Sequence, residues 1–313
     1  MLLNNKILIT GFSGFVGSRL LSVLSTRVLV LLGRKKPENV SLPFYQSEFN
    51  ADSDYSSALA GVDVVIHSAA RVHMMNEQTT DPLAAFRDVN TFGTVNLARQ
   101  AAAAGVKRFI FISSIKVNGE STRNDKPFRH DDKPLPDDAY GISKAEAEIG
   151  LKQIAVQTGM EVVIIRPPLV YGLGVKANFA AMMKLARKNL PLPLGAIHNK
   201  RSLVALDNLV DLIVTCIEHP KAANQTFLVS DEHDVSTTEL LQMMTRAAGK
   251  KPRLLPVPMS WLKLAGKLTG KSAVIDRLCG NLQVDISHTK DTLGWRPPVT
   301  VEEGIARCFA AKG

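Results

Sequence analysis

Tyr140 and Lys144, in the stretch Tyr140-Gly141-Ile142-Ser143-Lys144, stand one helical turn apart and share a helix face. A phenol beside an ammonium is an acid–base pair. The positive charge stabilises the tyrosinate, lowers the phenol pKa towards working pH and makes the group a proton donor or acceptor. Ser114, just past the apolar run 108–112, is placed to hydrogen-bond the same substrate oxygen. Alone, a Tyr–Lys pair is as readily a solvated helix face. Upstream, Ile7-Leu8-Ile9-Thr10 breaks into Gly11-Phe12-Ser13-Gly14-Phe15-Val16-Gly17, and Val16, Leu20 and Leu24 begin a helical stripe. Strand, glycine turn and helix in that order offer backbone N–H groups to a pyrophosphate. Gly11 would allow the turn, Gly14 the approach of the phosphates and Gly17 the packing of helix on strand. The chain order of glycine loop, Ser113-Ser114 and then Tyr140 with Lys144 makes one strong signal from three weak ones.

These groups need a scaffold, and the apolar pattern supplies one. Strands are expected at 6–10, 27–32, 44–49, 62–67, 108–112 and 161–166, with helices through 55–59, 81–104 and 140–158. Strands alternating with helices mean a doubly wound parallel sheet. Pro167-Pro168 ends the alternation. Beyond it come a helix at 179–188, the stretch Leu192-Pro193-Leu194, a helix at 206–218, a strand at 226–229 and a mostly helical tail from Ser236. The fold class is α/β: a doubly wound parallel Rossmann sheet with a smaller, mostly helical C-terminal lobe assembled from two separate stretches.

Composition narrows the class. With 313 residues, 45% hydrophobic and 21% charged, the chain can bury a large core. Three cysteines far apart, Cys216, Cys279 and Cys308, suit neither a disulfide framework nor a zinc site. The seven histidines show no metal spacing, so no metal is expected. No signal peptide or transmembrane run is read, which points to the cytoplasm. A net charge of +9 without a clustered basic, aromatic face argues against nucleic acid. It suits a protein handling anionic phosphates, near an anionic membrane surface or not.

Along its whole length the chain resembles the extended short-chain dehydrogenase/reductase family of nucleotide-sugar epimerases, dehydratases and reductases. The fingerprints are Thr10 to Gly17, His67-Ser68-Ala69-Ala70, Asn90-Thr91-Phe92-Gly93-Thr94, Ser113-Ser114, Tyr140 with Lys144, Arg166-Pro167-Pro168, Tyr171-Gly172, Arg201 with Asp207, and Leu293-Gly294-Trp295. The resemblance implies that Tyr140 is the general acid/base, Lys144 positions the ribose and tunes Tyr140, and Ser114 shares the proton. It implies cofactor contacts from the glycine loop, Ser68, Ala69, Ala70, Ser113 and Pro167. Asn90 would support the helix that carries the site, and Glu48-Phe49 falls at the adenine. A UDP-sugar would be gripped by Asn178, Arg201 and Arg277, with Leu194 beside the base. By the same resemblance, 1–171 and 201–231 form the dinucleotide-binding domain, and 172–200 with 232–313 form the substrate lobe. Arg71, His73 and Met74-Met75 read as loop filling, His67 as a packed neighbour of the cofactor, and Lys116 and Asn118 as residues shaping substrate choice. A homodimer is left open.

The second strand ends in Gly33-Arg34-Lys35-Lys36, three bases and no acid, which favours NADP, with NAD as the alternative. A consumed NADPH points to reduction. The segments Ser113 to Gly119 and Arg166 to Gly172 more closely resemble the bacterial surface-polysaccharide enzymes of the family. The reading put first, as the resemblance implies, is therefore reduction, at C4, of a UDP-4-keto-6-deoxy-N-acetylhexosamine in surface-polysaccharide (O-antigen) biosynthesis. The alternatives are a UDP-glucose or UDP-N-acetylglucosamine 4-epimerase and, with Tyr140 and Lys144 idle, a non-catalytic dinucleotide sensor.

Overall fold

The runs Ile7-Leu8-Ile9, Leu29-Val30-Leu31-Leu32, Val64-Val65-Ile66 and Phe109-Ile110-Phe111 are buried without interruption, as strands covered on both faces must be. The computed structural model describes residues 5–38, 40–72, 81–123 and 126–310. His73 and Met74-Met75 lie outside the described residues. In chain order the elements are β1 (Lys6–Thr10), α1 (Phe15–Val23), β2 (Val28–Gly33), β3 (Phe44–Gln46), α2 (Ser56–Leu59), β4 (Val64–His67), α3 (Pro82–Phe86), α4 (Thr94–Ala103), β5 (Arg108–Ile112), α5 (Ala139–Thr158) and β6 (Glu161–Arg166). There follow β7 (Leu169–Tyr171), α6 (Ala177–Lys188), β8 (Leu203–Ala205), α7 (Leu206–Glu218), β9 (Thr226–Leu228), α8 (Thr237–Ala247), α9 (Met259–Leu268), α10 (Ser272–Cys279), α11 (Ser287–Leu293) and α12 (Val301–Phe309). The single helix expected at 81–104 is interrupted: a π-helical stretch, Arg87–Gly93, joins α3 to α4.

Seven parallel strands lie in the order β3-β2-β1-β4-β5-β6-β9. The order reverses between β1 and β4, and in such sheets ligands bind in the crevice beyond the strand ends at that point. The glycine loop follows β1 directly. Alternate strand residues feed two cores. Ile7, Ile9, Leu29, Leu31, Ile110 and Ile165 pack under α1 and α7, while Leu8, Val30, Val65, Phe109, Phe111 and Ile164 pack under α2, α4 and α5.

A third core, around Tyr171, Phe179, Leu203, Leu240, Met244, Val301 and Ile305, joins the small β7–β8 pair to α6, α8 and α12. Residues Leu282, Val284, Ile286, Leu293 and Trp295 instead join the core under α7, so the tail returns to the main sheet. Among the described residues no helix is long and apolar enough to cross a membrane.

Candidate active site

The glycine loop is shaped by backbone contacts. Gly11 sits at φ +67°, and a Cβ there would lie 2.6 Å from the nitrogen of Ala69, so the loop touches the chain leaving β4. A Cβ on Gly17 would fall 2.1 Å from the Gly11 carbonyl oxygen. Gly14 caps α1 with no side-chain bond, and the first turn of α1 carries no acid. Its N–H groups are left for an anion, and no carboxylate opposes one. Ser13 and Gly14 are exposed, Phe15 and Val16 are half-buried, and Phe12 turns into the core edge-on to Phe44 at 6.0 Å. The donor set fits the pyrophosphate of a dinucleotide.

Across the crevice, the Ser68 hydroxyl donates to the Thr10 carbonyl at 2.7 Å, and the Ala69 N–H donates to Thr10 Oγ1 at 3.2 Å. Ala70 follows, half-buried. His67 is sealed between Thr10 Oγ1 at 2.7 Å and Thr94 Oγ1 at 2.9 Å. Its ring stacks on Phe111 at 5.9 Å. Burial, with the Lys144 charge adding to it, pushes the His67 pKa down to about 3, so the ring is neutral. Phe49 lies inside the core against Tyr55 and His67, and only the exposed Glu48 beside it faces out.

Helix α5 carries Tyr140 and Lys144, and Asp138 starts it by accepting from the Gly141 N–H at 2.7 Å. The Lys144 ammonium donates to the Ile112 carbonyl at 2.9 Å and lies 4.4 Å above the Phe111 ring. Burial pulls its pKa down to about 7, with Glu148 opposing. The expected lowering of the Tyr140 pKa is not found in the chain alone. Burial, helped by the negative charge of Asp138, pushes it up to about 12. Lys144 Nζ is 6.0 Å from the Tyr140 ring centroid and spends its hydrogen bond on Ile112, so the ammonium does not touch the phenol. Ser114 is half-buried at the end of β5, its oxygen accepting from the Lys116 N–H at 3.3 Å.

Asn90 behaves as a support. Its Nδ2 donates to Ser143 Oγ and to the Arg71 carbonyl, both at 3.0 Å, while its Oδ1 accepts from the Arg71 N–H at 2.8 Å. Thr91 Oγ1 donates to the Ser143 carbonyl at 2.9 Å. Ser143 lies between Tyr140 and Lys144, so the π-helical stretch grips α5 at the site.

The Ser113 hydroxyl is buried and donates to Glu148 Oε1 at 2.5 Å. Glu148 takes two bonds from Arg166, whose Nη1 donates to Asn118 Oδ1 at 2.9 Å. Asn118 is therefore a buried structural partner, not a residue shaping substrate choice. Lys116 is also engaged, bridging Asp138 at 2.5 Å and Glu120 at 2.6 Å. Burial works against its charge, but the two carboxylates outweigh that and hold its pKa above the ordinary range. Pro167 is buried, and its carbonyl accepts from the Ile115 N–H at 3.0 Å.

The residues expected at a sugar nucleotide are only partly gathered. Arg201 Nη1 donates to the carbonyls of Arg277 at 3.1 Å and Gly280 at 3.2 Å. Burial lowers its pKa, and the charge of Glu120 opposes that. Arg277 reaches Arg201 through its backbone, and the residue itself is exposed. Asn178 is exposed in the first turn of α6, directly after Ala177 at φ +55°, a strained value for a non-glycine. Leu194, half-buried, offers its carbonyl to Thr238 Oγ1 at 2.6 Å, and Leu192 forms an isolated bridge to Leu254.

The sequence profile of the NAD dependent epimerase/dehydratase family matches residues 7–230. A UDP-glucose 4-epimerase of Vibrio cholerae is 55% identical over 311 residues, covering 98% of this chain and 95% of that one. The N-acetyl-alpha-D-glucosaminyl-diphospho-ditrans,octacis-undecaprenol 4-epimerase of Escherichia coli O157:H7 is 27% identical over 325 residues, covering 97% and 94%. In fold, the solved UDP-glucose 4-epimerase of Thermotoga maritima with UDP-glucose matches with a TM-score of 0.77 at 22% identity, over 97% of each chain. The matched profile is that of an NAD-dependent family, so the expectation of NADP is not supported. Arg34, Lys35 and Lys36 are exposed past the end of β2, and among the described residues Arg34 has no partner holding its guanidinium in place for a phosphate.

Proposed function

The chain belongs to the NAD-dependent epimerase/dehydratase family, and we propose that it is a nucleotide-sugar 4-epimerase inverting C4 of a UDP-hexose with NAD as cofactor. The 55% identity to a UDP-glucose 4-epimerase over almost the whole chain, both lobes included, carries the reading. Reduction of a UDP-4-keto sugar uses the same side chains, but it leaned in part on NADP, which the matched family does not support, and the 55% identical relative is an epimerase.

In this reading the N–H groups at the start of α1 hold the cofactor pyrophosphate. Ser68, Ala69, Ala70 and the Glu48-Phe49 stretch flank the adenosine half, and Ser113 with Pro167 backs the nicotinamide half. NAD, when bound, supplies a reversible hydride acceptor for C4. Tyr140 Oη takes the proton of the sugar 4-hydroxyl and returns it to the same oxygen after the sugar has turned in the pocket. A phenol pushed up to about 12 needs a positive charge nearby to release its proton at neutral pH. Lys144 lies on the same face of α5, and its pKa of about 7 leaves it close to half-charged there. Ser114 Oγ hydrogen-bonds the 4-oxygen as its charge changes. Arg201 and Arg277 suit a diphosphate because a planar guanidinium makes two parallel charge-assisted bonds. Asn178 and Leu194 complete the UDP side, with 172–200 and 232–313 forming the substrate lobe and 1–171 with 201–231 the dinucleotide-binding domain.

The test is incubation of the purified protein with UDP-glucose, and separately UDP-N-acetylglucosamine, in the presence of NAD. The expected result is conversion to the C4 epimer with no net change in reduced nicotinamide. Stoichiometric oxidation of NADH or NADPH by a UDP-4-keto-6-deoxy-N-acetylhexosamine, without epimerisation, would sink the epimerase and restore the reductase.

A further inference from the structure

Helix α9 exposes an apolar stripe that none of the described residues covers. Trp261 is 71% exposed, Leu264 59% and Leu268 80%. With Ala265, also exposed, these residues follow the i, i+3, i+4, i+7 spacing of one helix face. The face that α9 buries is another: Leu262 and Gly266 pack inward, and a Cβ on Gly266 would lie 2.8 Å from Ile275 of α10. The stripe is thus left over after the hairpin has packed, and Val274 of α10 adds a further 50% exposed side chain.

The charge around the stripe is one-sided. From 251 to 279 the chain holds Lys251, Arg253, Lys263, Lys267, Lys271 and Arg277 against the single acid Asp276, most of the net charge of +9. Among the described residues, Lys263, Lys267 and Lys271 have no carboxylate partner. By helical spacing, Lys267 borders the stripe beside Leu264, while Lys263 sits one turn earlier on the flank towards Gly266 and α10, where its charge reaches Cys279.

We propose that the α9–α10 hairpin seats this protein on an anionic lipid bilayer surface, with Trp261, Leu264 and Leu268 entering the interface and the lysines meeting the headgroups. An indole is suited to that boundary because one end is apolar and the other a hydrogen-bond donor. Lysine stems lie along apolar surface while their ammonium groups reach the phosphates. Charge complementarity selects the occupant: a second copy of this chain would set the same unpaired cations against one another, and a neutral partner would leave them unanswered. The hairpin also ends at the sugar-nucleotide side, where the Arg277 and Gly280 carbonyls accept from Arg201. Docking at α9 would therefore bring that side of the molecule towards the membrane. The inference does not depend on which reaction the active site performs.

The full chain is titrated with vesicles of phosphatidylglycerol and phosphatidylethanolamine, and separately of phosphatidylcholine, while tryptophan emission and co-sedimentation are followed. The other tryptophan, Trp295, is 6% exposed, so a blue shift reports Trp261. The expected result is a blue shift and sedimentation with the anionic vesicles alone, weakening as salt rises and with the shift lost in Trp261→Phe. The triple variants Lys263→Glu/Lys267→Glu/Lys271→Glu and Trp261→Ser/Leu264→Ser/Leu268→Ser should each lower binding by about tenfold or more with unchanged circular dichroism. No binding to anionic vesicles at low salt, or equal binding to both kinds, overturns the proposal. So does a dimer in sedimentation velocity that Leu264→Glu splits, because the stripe would then belong to a second copy.

Discussion

Glu148 and Arg166 meet as a two-pronged ion pair, Nε to Oε1 at 2.9 Å and Nη2 to Oε2 at 2.5 Å, with neither residue more than 2% exposed. The pair ties α5, the helix of Tyr140 and Lys144, to β6, and Ser113 at the end of β5 joins it. Removing one partner strands a buried charge. Glu148→Ala or Arg166→Ala should cost about 3–5 kcal/mol in urea denaturation, and Glu148→Leu/Arg166→Met together much less, because both charges leave. A double variant no more stable than the singles would refute this account of the pair.

Tyr140→Phe should lower kcat by about a hundredfold to ten-thousandfold, the usual worth of a positioned acid–base group. Its melting temperature should match that of the parent, since among the described residues the Tyr140 hydroxyl has no hydrogen-bond partner to lose. Turnover measured beside thermal unfolding checks both halves, and retained turnover would remove Tyr140 from the chemistry.

His67 gives a pH dependence of definite sign. Its pKa falls from 6.5 in the unfolded chain to about 3 in the fold, so between those values the unfolded state binds the extra proton. Stability from this group is full above pH 6.5 and is lost as pH falls towards 3. Between pH 7 and pH 5 the loss should be about 2 kcal/mol, absent from the pH slope of His67→Gln. Denaturant midpoints at the two pH values measure it; parallel slopes for parent and variant would mean that His67 is not the titrating group.

Two of the loop glycines, Gly17 and Gly14, should separate into folding and binding. Gly17→Ala puts a methyl 2.1 Å from the Gly11 carbonyl oxygen, so the loop must break open, at a cost of about 1–3 kcal/mol or more. On Gly14 the nearest atom is that same oxygen at 3.1 Å, and the methyl faces open space beyond it. Gly14→Ala should keep the fold and weaken NAD binding, read by calorimetry against a melting curve. Equal loss of stability in both variants would remove the distinction.

The sheet was legible because its central strands, β1, β2, β4, β5 and β6, carry apolar runs ending in recognisable turns, and Tyr140 with Lys144 because helical spacing is local. What escaped was made by assembly. Glu148, mid-helix among Ala145, Ala147 and Ile149, carries no local signal of the buried network it enters once Ser113, Arg166 and Asn118 close around it. In the sequence Ser113 and Ser114 read as having separate roles, but not the one Ser113 has in the fold, where its hydroxyl turns inward to Glu148 while Ser114 stays half-exposed. The Tyr140 pKa depends on burial and on where the Lys144 ammonium finds its acceptor, and neither is a property of spacing. The bases after β2 were overread for a related reason: charge type is visible in a sequence, but whether a pocket fixes it is not.

The π-helical turn at Arg87–Gly93 is an ordinary helix carrying one residue too many. In an α-helix, neighbours point about 100° apart and cannot both grip one residue easily. Here the surplus residue narrows that angle, and consecutive side chains close on Ser143 like two fingers on a key, Asn90 on its hydroxyl and Thr91 on its carbonyl. The stretch is therefore intolerant of length change, whatever its residues: deletion of a single position anywhere from 87 to 93 would restore the regular coil and release the grip, with every side chain of α5 still in place.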